Sequence, residues 1–370
     1  MIKTLAKWIS KKNYLNYLED IMKISTIKKS TAILLAITVI LTGCNTGTSG
    51  APEASKTPEA PATSETNNPP ASNETEKFTI GISQIIQHPA LDASRQGFID
   101  EMETLGVKVE FFDQNAQGDI NNAQMIAEKF VKDKVDLIFT IATPTSQAAK
   151  KAIEGTDIPL VFTAVTDPVF SELVTAMDVT DNNITGVVDA APIKENLELF
   201  KELKEDIKTV GIIYNIGESN SEVQVNQTKE IAEELGLTIE TVGITTINDI
   251  PQAMNTISKK AEGLYIITDN MVASAMELVA NLAEENSMLT VSADGSHVDQ
   301  GILVSKGISY YTIGQESARI AKQILVDKVD IADIPVQASS ELEKKVNLKT
   351  AEALGLAKDH KAFEGAEFVE

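Results

Sequence analysis

The chain has 370 residues, 43% of them hydrophobic, 23% charged and only 5% aromatic, with 20 glycines and 12 prolines. That balance excludes collagen-like, wholly disordered and polytopic membrane chains and fits a mostly soluble globular protein. Its 32 basic against 54 acidic residues, a formal charge of -22, repel phosphate backbones and argue against a nucleic-acid partner.

Lys23, Lys28 and Lys29 precede an apolar run over residues 32–41 that ends in Leu41-Thr42-Gly43-Cys44. The run is too short to span a bilayer and has the length of a signal-peptide core. The tetrapeptide resembles the bacterial lipobox, which implies cleavage before Cys44 and a lipid on that cysteine. Residues 1–43 are therefore read as a lipoprotein signal. The basic segment 1–21 is surplus to it, and Met22 is the expected start. Residues 45–76 hold no Val, Ile, Leu or aromatic side chain and cannot bury apolar surface, so 44–76 is read as a lipidated cysteine on a disordered tether. The expected location is the extracytoplasmic face of the cell membrane, held by lipid. As the lone cysteine, Cys44 leaves no disulfide and no Cys-based zinc site, and His88, His297 and His360 do not make a metal cluster. No metal and no cofactor are expected.

From Lys77 short apolar runs alternate with amphipathic ones. Strands are predicted over 78–83, 107–112, 135–141 and 160–164, with helices over 90–105, 120–132 and 144–153 between them. A second series begins near Ile193 with a helix. It continues with strands over 209–214, 238–242, 263–267 and 289–292, helices over 221–235, 250–259 and 273–285, and an apolar segment over 301–305. The fold class is α/β, two doubly wound Rossmann-like lobes with parallel sheets joined by crossovers. Lobe 1 is assigned 77–190 and 308–335, lobe 2 191–307 and 336–370, with the helix over 312–326 returning to lobe 1.

In such sheets ligands bind beyond the carboxyl ends of the strands. Those tips supply Ser83 and Gln84, Thr145 and Ser146, Ala164, Thr166 and Asp167 from the first half. The second half supplies Asn215, Ser219, Asn220, Ser221, Asp269, Asn270 and Asp294. Thr143-Pro144 predicts a cap and a first-turn proline, leaving the amides of Thr145 and Ser146 free to receive a carboxylate. Ser219 and Glu222 have capping-box spacing. Either Asp269 or Asp294 could accept an ammonium group, since a carboxylate sealed in a dry cleft needs a cation or a hydrogen-bond network. His88 is read as shaping the entrance, His297 as turn structure or a gate, and Tyr214, Tyr310 and Tyr311 as aromatic walls or as core and hinge residues.

The segments Ile82-Ser83-Gln84, His88-Pro89-Ala90-Leu91-Asp92, Thr163 to Pro168, Tyr214-Asn215, Glu218 to Ser221, Thr268-Asp269-Asn270 and Val346 to Ala351 together carry a resemblance. It is to the ABC transporter substrate-binding lipoproteins of the tryptophan/tyrosine type, which have the type I periplasmic-binding-protein fold. The resemblance covers essentially all of residues 77–357. It implies capture of a small ligand, an aromatic amino acid foremost, between two hinged lobes of a monomer, and delivery to a membrane permease driven by an ATPase. It also implies Ala164, Thr166 and Ser146 as first-lobe ligand contacts. An enzyme is not expected, because neither His88 nor His297 has nucleophile-elbow or metal-ligand spacing and no phosphate-binding glycine loop is present. A ligand-sensing or adhesive surface lipoprotein without a transporter, and an importer receptor for another amino acid or small solute, are the competing readings.

Overall fold

The computed structural model describes residues 77–178, 183–339 and 342–370, so the expected signal, Cys44 and the tether lie outside the described residues. The first series runs β1 (Lys77–Gln84), α1 (Pro89–Thr104), β2 (Lys108–Asn115), α2 (Ile120–Asp133), β3 (Leu137–Ile141), α3 (Thr143–Ala152), β4 (Leu160–Val165) and β5 (Ile184–Val188). The second runs α4 (Ile193–Leu203), β6 (Thr209–Asn215), α5 (Ser219–Glu234), β7 (Thr238–Ile244), α6 (Ile250–Ile257), β8 (Gly263–Ile266), α7 (Asn270–Ala273), α8 (Met276–Glu285), β9 (Leu289–Asp294) and β10 (Val304–Ile308). The chain then returns through α9 (Tyr310–Leu325) and β11 (Gln337–Ala338), and ends in β12 (Leu342–Asn347), α10 (Leu348–Ala353) and β13 (Glu367–Val369).

Two sheets result, ordered β11-β5-β4-β3-β1-β2 and β13-β12-β10-β9-β8-β6-β7. Every neighbouring pair is parallel except β10 with β12, as the buried, near-continuous apolar strands of both lobes require. Strand order reverses at β1/β3 and at β6/β8, the switch points where such sheets open a crevice. The first core packs Phe98 flat on Phe139, with ring centroids 3.8 Å apart, beneath α1 and α9. The second sheet has apolar clusters on both faces, one around Tyr265 and Phe200 and the other around Met254, Leu264 and Val279.

The helix α9 packs on α1 of the first sheet's lobe through two glycines. A Cβ on Gly314 would stand 2.0 Å from the Ser94 carbonyl oxygen, and one on Gly97 2.1 Å from that of Tyr311. Only hydrogen at these two positions lets the helix backbones touch.

Several details differ from the sequence reading, and β12, α10 and β13 lie beyond its predicted elements. The strand β5 lies outside the predicted strands, although Asp181-Asn182-Asn183 before it form a turn signal in the sequence. Its neighbour β11 extends the first sheet to Ala338, past the expected boundary at residue 335, because Gln337 and Ala338 pair with Val187 and Val188. The helix expected over 273–285 starts earlier and breaks in two, because Asp269 caps a separate short turn, α7, accepting from the Val272 amide. Two crossovers between the sheets lie side by side: residues 189–192 between β5 and α4, and Ser309 between β10 and α9. The Tyr310 hydroxyl donates to Asp189 Oδ2 at 2.7 Å and ties one crossover to the other.

Candidate functional site

The strand tips of the two sheets face each other across the crossovers. Thr166 Oγ1 of the first lobe lies 3.2 Å from Thr268 Oγ1 of the second, and His88 Nε2 lies 3.5 Å from Asn270 Oδ1. Between them is a cavity of about 10 Å³, lined by His88, Leu91, Ala164, Thr166, Asp189, Asn220, Thr268, Asp269, Asn270, Ala273, Asp294, His297 and Tyr310. That is room for about one water, so a larger solute enters only when the lobes separate or the lining side chains turn.

At the first-lobe rim the backbone is strained. Ala164 has φ +54, a left-handed conformation rare outside glycine, and the β4/β5 register shifts between Phe162 and Val165. Ala164 and Thr166, on either side of Val165 at this irregular tip, both line the cavity. Strain of this kind survives where neighbouring structure enforces it, commonly at binding sites.

Of the residues expected from the strand tips, Ala164, Thr166, Asn220, Asp269, Asn270 and Asp294 line the cavity. Ser83, Gln84, Thr145, Ser146, Asp167, Asn215, Ser219 and Ser221 do not. Most of these are engaged locally. Gln84 donates to Asp92 and to the Ile86 carbonyl, and Asp167 caps its own turn by accepting from Val169 and Phe170. The hydroxyls of Thr145 and Ser146 bond the Ala142 carbonyl. At the start of α3 the cap is Ala142 at φ +86 and not Thr143, and of the two amides expected to be free there that of Ser146 is paired with the Ala142 carbonyl. The expected capping box is not formed: Glu218 and not Ser219 is the cap of α5, and its side chain makes no capping hydrogen bond. The segment Val346 to Ala351 is structural. Asn347 donates to the Val298 carbonyl and accepts from the Thr350 amide, bracing the turn after β9.

The three cavity carboxylates differ in what remains available to a ligand. Asp269 accepts from the Asn215 amide, the Ser221 hydroxyl and the Val272 amide at 2.6 to 2.9 Å, so both oxygens serve its own lobe. Burial, and after it the Glu218 carboxylate, push its pKa up to about 7. Asp294 accepts from the amide and hydroxyl of Ser296 and lies 3.4 Å from His297 Nε2. Asp189, which the strand-tip reading missed, is 3% exposed and keeps Oδ1 with no protein partner while Oδ2 accepts from Tyr310. Burial raises its pKa, opposed mainly by the hydrogen bond from Tyr310. Tyr310 is itself raised, first by burial and then by Asp189 and Asp294, and so stays a donor. The signal for Asp189 was in the sequence: a lone carboxylate follows the apolar run Ile184 to Val188, as Asp269 and Asp294 follow theirs.

Both cavity histidines are neutral at pH 7. Burial, then His297, lower His88 to about 4 against the pull of Asp294, Asn270 and Asp92, and burial likewise lowers His297. No lysine or arginine lines the cavity. Among the described residues no group of three or more His, Cys, Asp or Glu side chains could hold a metal ion, and no helix is long and apolar enough to cross a membrane.

Residues 79–367 match the family model of ABC transporter substrate binding proteins. The chain belongs to that family. A binding family of this kind is not catalytic, in agreement with the absence of a catalytic motif in the sequence. A tyrosine-binding protein of Clostridioides difficile is 37% identical over 235 residues, which are 61% of this chain and 63% of that protein, so the match spans less than two thirds of the relative. Among solved structures, a Streptococcus pneumoniae ABC domain in complex with L-Trp is 30% identical with a TM-score of 0.74, covering 79% of this chain and 100% of that one. The ligand-free, open structure of a substrate-binding protein with adhesive properties from Clostridium difficile is 39% identical but reaches only 0.62, covering 79% and 99%. The more identical structure superposes less well, as expected when the lobes of this chain meet directly across the cleft. More distant likeness to a myo-inositol-bound binding protein from Bacillus halodurans, at 16% identity and a TM-score of 0.55, shows the shared fold.

Proposed function

We propose that this family member is the receptor of an ABC importer that captures an aromatic amino acid between its lobes and passes it to a membrane permease. The observation that carries the reading is Asp189, a buried carboxylate whose only side-chain neighbours able to donate to it, among the described residues, are the neutral hydroxyls of Tyr310 and Thr166, and whose Oδ1 has no partner at hydrogen-bond geometry, in a cavity lined by no lysine or arginine. A carboxylate so placed calls for a cation from the ligand, and an α-ammonium group supplies one. Thr166 and the strained tip at Ala164 lie on the same lobe to orient the rest of the main chain. The tyrosine and tryptophan named for the relatives above favour an aromatic side chain. Contacts from both lobes exist together only in the closed form, so ligand binding shifts the population toward closure by its differential affinity. A lipid on Cys44 would hold this monomeric receptor at the extracytoplasmic face of the cell membrane, within reach of the permease. A thermal-shift panel of the common amino acids against myo-inositol and simple sugars tests the reading. Tyrosine, tryptophan or phenylalanine should raise Tm and the sugars should not, and the reverse pattern would overturn it.

A pH dependence follows from the same geometry. In an open cleft the His88 imidazole regains water and its ordinary value of 6.5, whereas in the closed cleft it is held near 4. Between those values the open form takes up a proton that the closed form refuses, so closure is fully favoured above pH 6.5 and weakens as pH falls. His297 acts in the same direction. Asp189, raised by burial, also begins to lose the charge that an ammonium group needs as the solution becomes acidic. His88 alone should therefore make affinity fall by up to about tenfold per pH unit from 6.5 toward 4, with His297 and Asp189 steepening the fall, and calorimetry at three pH values showing a flat profile would count against it.

A further inference from the structure

His88 is not accounted for by main-chain recognition. It occupies the cap position before α1 without capping it, is 7% exposed, and has one polar contact, Nε2 to Asn270 Oδ1 at 3.5 Å, with Nδ1 unpartnered. Leaving a buried polar group unpaired destabilises a fold, so such an atom calls for a role.

The hydrogen-bond network fixes what that role is. Asn270 donates through Nδ2 to Glu218 Oε2, which turns its Oδ1 toward His88. The imidazole hydrogen therefore belongs on Nε2, and Nδ1 presents a bare lone pair. The strong burial of the ring keeps it neutral, which preserves that lone pair. A bare acceptor repels a carboxylate and accepts only from an O–H or N–H group. Position narrows the choice. His88 follows β1, which β3 separates from β4 in the sheet. His88 and the Ala164–Thr166 tip therefore reach the cavity from strands that are not neighbours. Leu91, one turn along α1 from His88, and Ala273 from the opposite lobe add hydrocarbon to the cavity wall.

We propose that His88 reads the far end of the ligand's side chain: its Nδ1 accepts a hydrogen bond from a ring O–H or N–H, so the cleft selects a hydroxyaryl or indole side chain over plain phenyl or branched aliphatic ones. The proposal rests on the aromatic amino-acid reading of the cleft. Sites built to pair a polar ligand group reject analogues lacking it far more strongly than an apolar pocket rejects a missing methylene, because their own buried atom is then left unpaired.

The test is calorimetric titration of the full chain with tyrosine, O-methyltyrosine, tryptophan and phenylalanine, for wild type, His88→Leu and His88→Gln. Wild type should bind tyrosine and tryptophan at least tenfold more tightly than phenylalanine and O-methyltyrosine. His88→Leu should lose that preference by weakening tyrosine and tryptophan at least tenfold with phenylalanine unchanged, and His88→Gln, which keeps an acceptor, should restore part of it. Equal loss for phenylalanine would show that His88 serves the ligand's main chain and would overturn the proposal. Should His88→Leu fail to fold, the wild-type series decides alone, since equal affinities for tyrosine and phenylalanine overturn the proposal. If no aromatic amino acid binds wild type, the reading beneath it fails and the proposal falls with it, an outcome distinct from binding without discrimination.

Discussion

Asp189→Asn should weaken tyrosine binding by about 100-fold while raising the Tm of the ligand-free protein. The two effects have one cause. Asp189 is buried with one oxygen unpaired, so its charge destabilises the empty protein and is compensated when an ammonium group arrives. Removing one member of a buried, hydrogen-bonded charge pair costs about 2–5 kcal/mol of binding, and 100-fold lies within that range. The amide retains an acceptor for the Tyr310 hydroxyl, so the link between the two crossovers survives. Asp269→Asn serves as the contrast. Its oxygens receive two backbone amides and the Ser221 hydroxyl, so the change should lower Tm and weaken charged and neutral ligands alike. Calorimetry and thermal melts on both variants check this. If Asp269→Asn proved selective for amino acids and Asp189→Asn silent, the assignments would be exchanged.

The second large effect concerns stability alone. Gly314→Ala would set a methyl group 2.0 Å from the Ser94 carbonyl oxygen, where only backbone displacement makes room. Overpacking of this kind typically costs 1–3 kcal/mol and sometimes more. With backbone as the obstacle the upper end is expected, about 3 kcal/mol, which lowers Tm by roughly 6–10 °C. Gly355→Ala is the control: φ is +72 and nothing lies within 4 Å, so only the left-handed conformation opposes the side chain, at about 1 kcal/mol. Equal melting temperatures for the two variants would contradict the close α1/α9 crossing.

How much was legible in the sequence follows from these residues. The buried parallel strands, flanked by Gly and Pro turns and amphipathic helices, announce themselves by periodicity, and most predicted elements lie within a few residues of the observed ones. The strand tips also identify Ala164, Thr166, Asn220, Asp269, Asn270 and Asp294 as cavity-lining residues. What a tip cannot show is whether its polar group is already spent. Asp269 and Asp189 are both carboxylates after apolar runs, yet the first is saturated by its own lobe and the second is not. That difference depends on which loops meet in space. The same holds for His88, whose free nitrogen is specified by Asn270, 182 residues away, and by the Glu218 that orients Asn270. β11 and β13, two and three residues long, are too short to carry a pattern and exist because a neighbouring strand offers an edge.

The central claim, capture of an aromatic amino acid, is tested most directly by the ligand's own fluorescence. The chain has one tryptophan, Trp8, so protein beginning at Lys77 contains none. Titrating that protein into free tryptophan should give a saturable emission shift at one site per chain, displaced by tyrosine. A tryptophan emission that stays unchanged at every protein concentration, with tyrosine and phenylalanine producing no heat of binding, would contradict the claim.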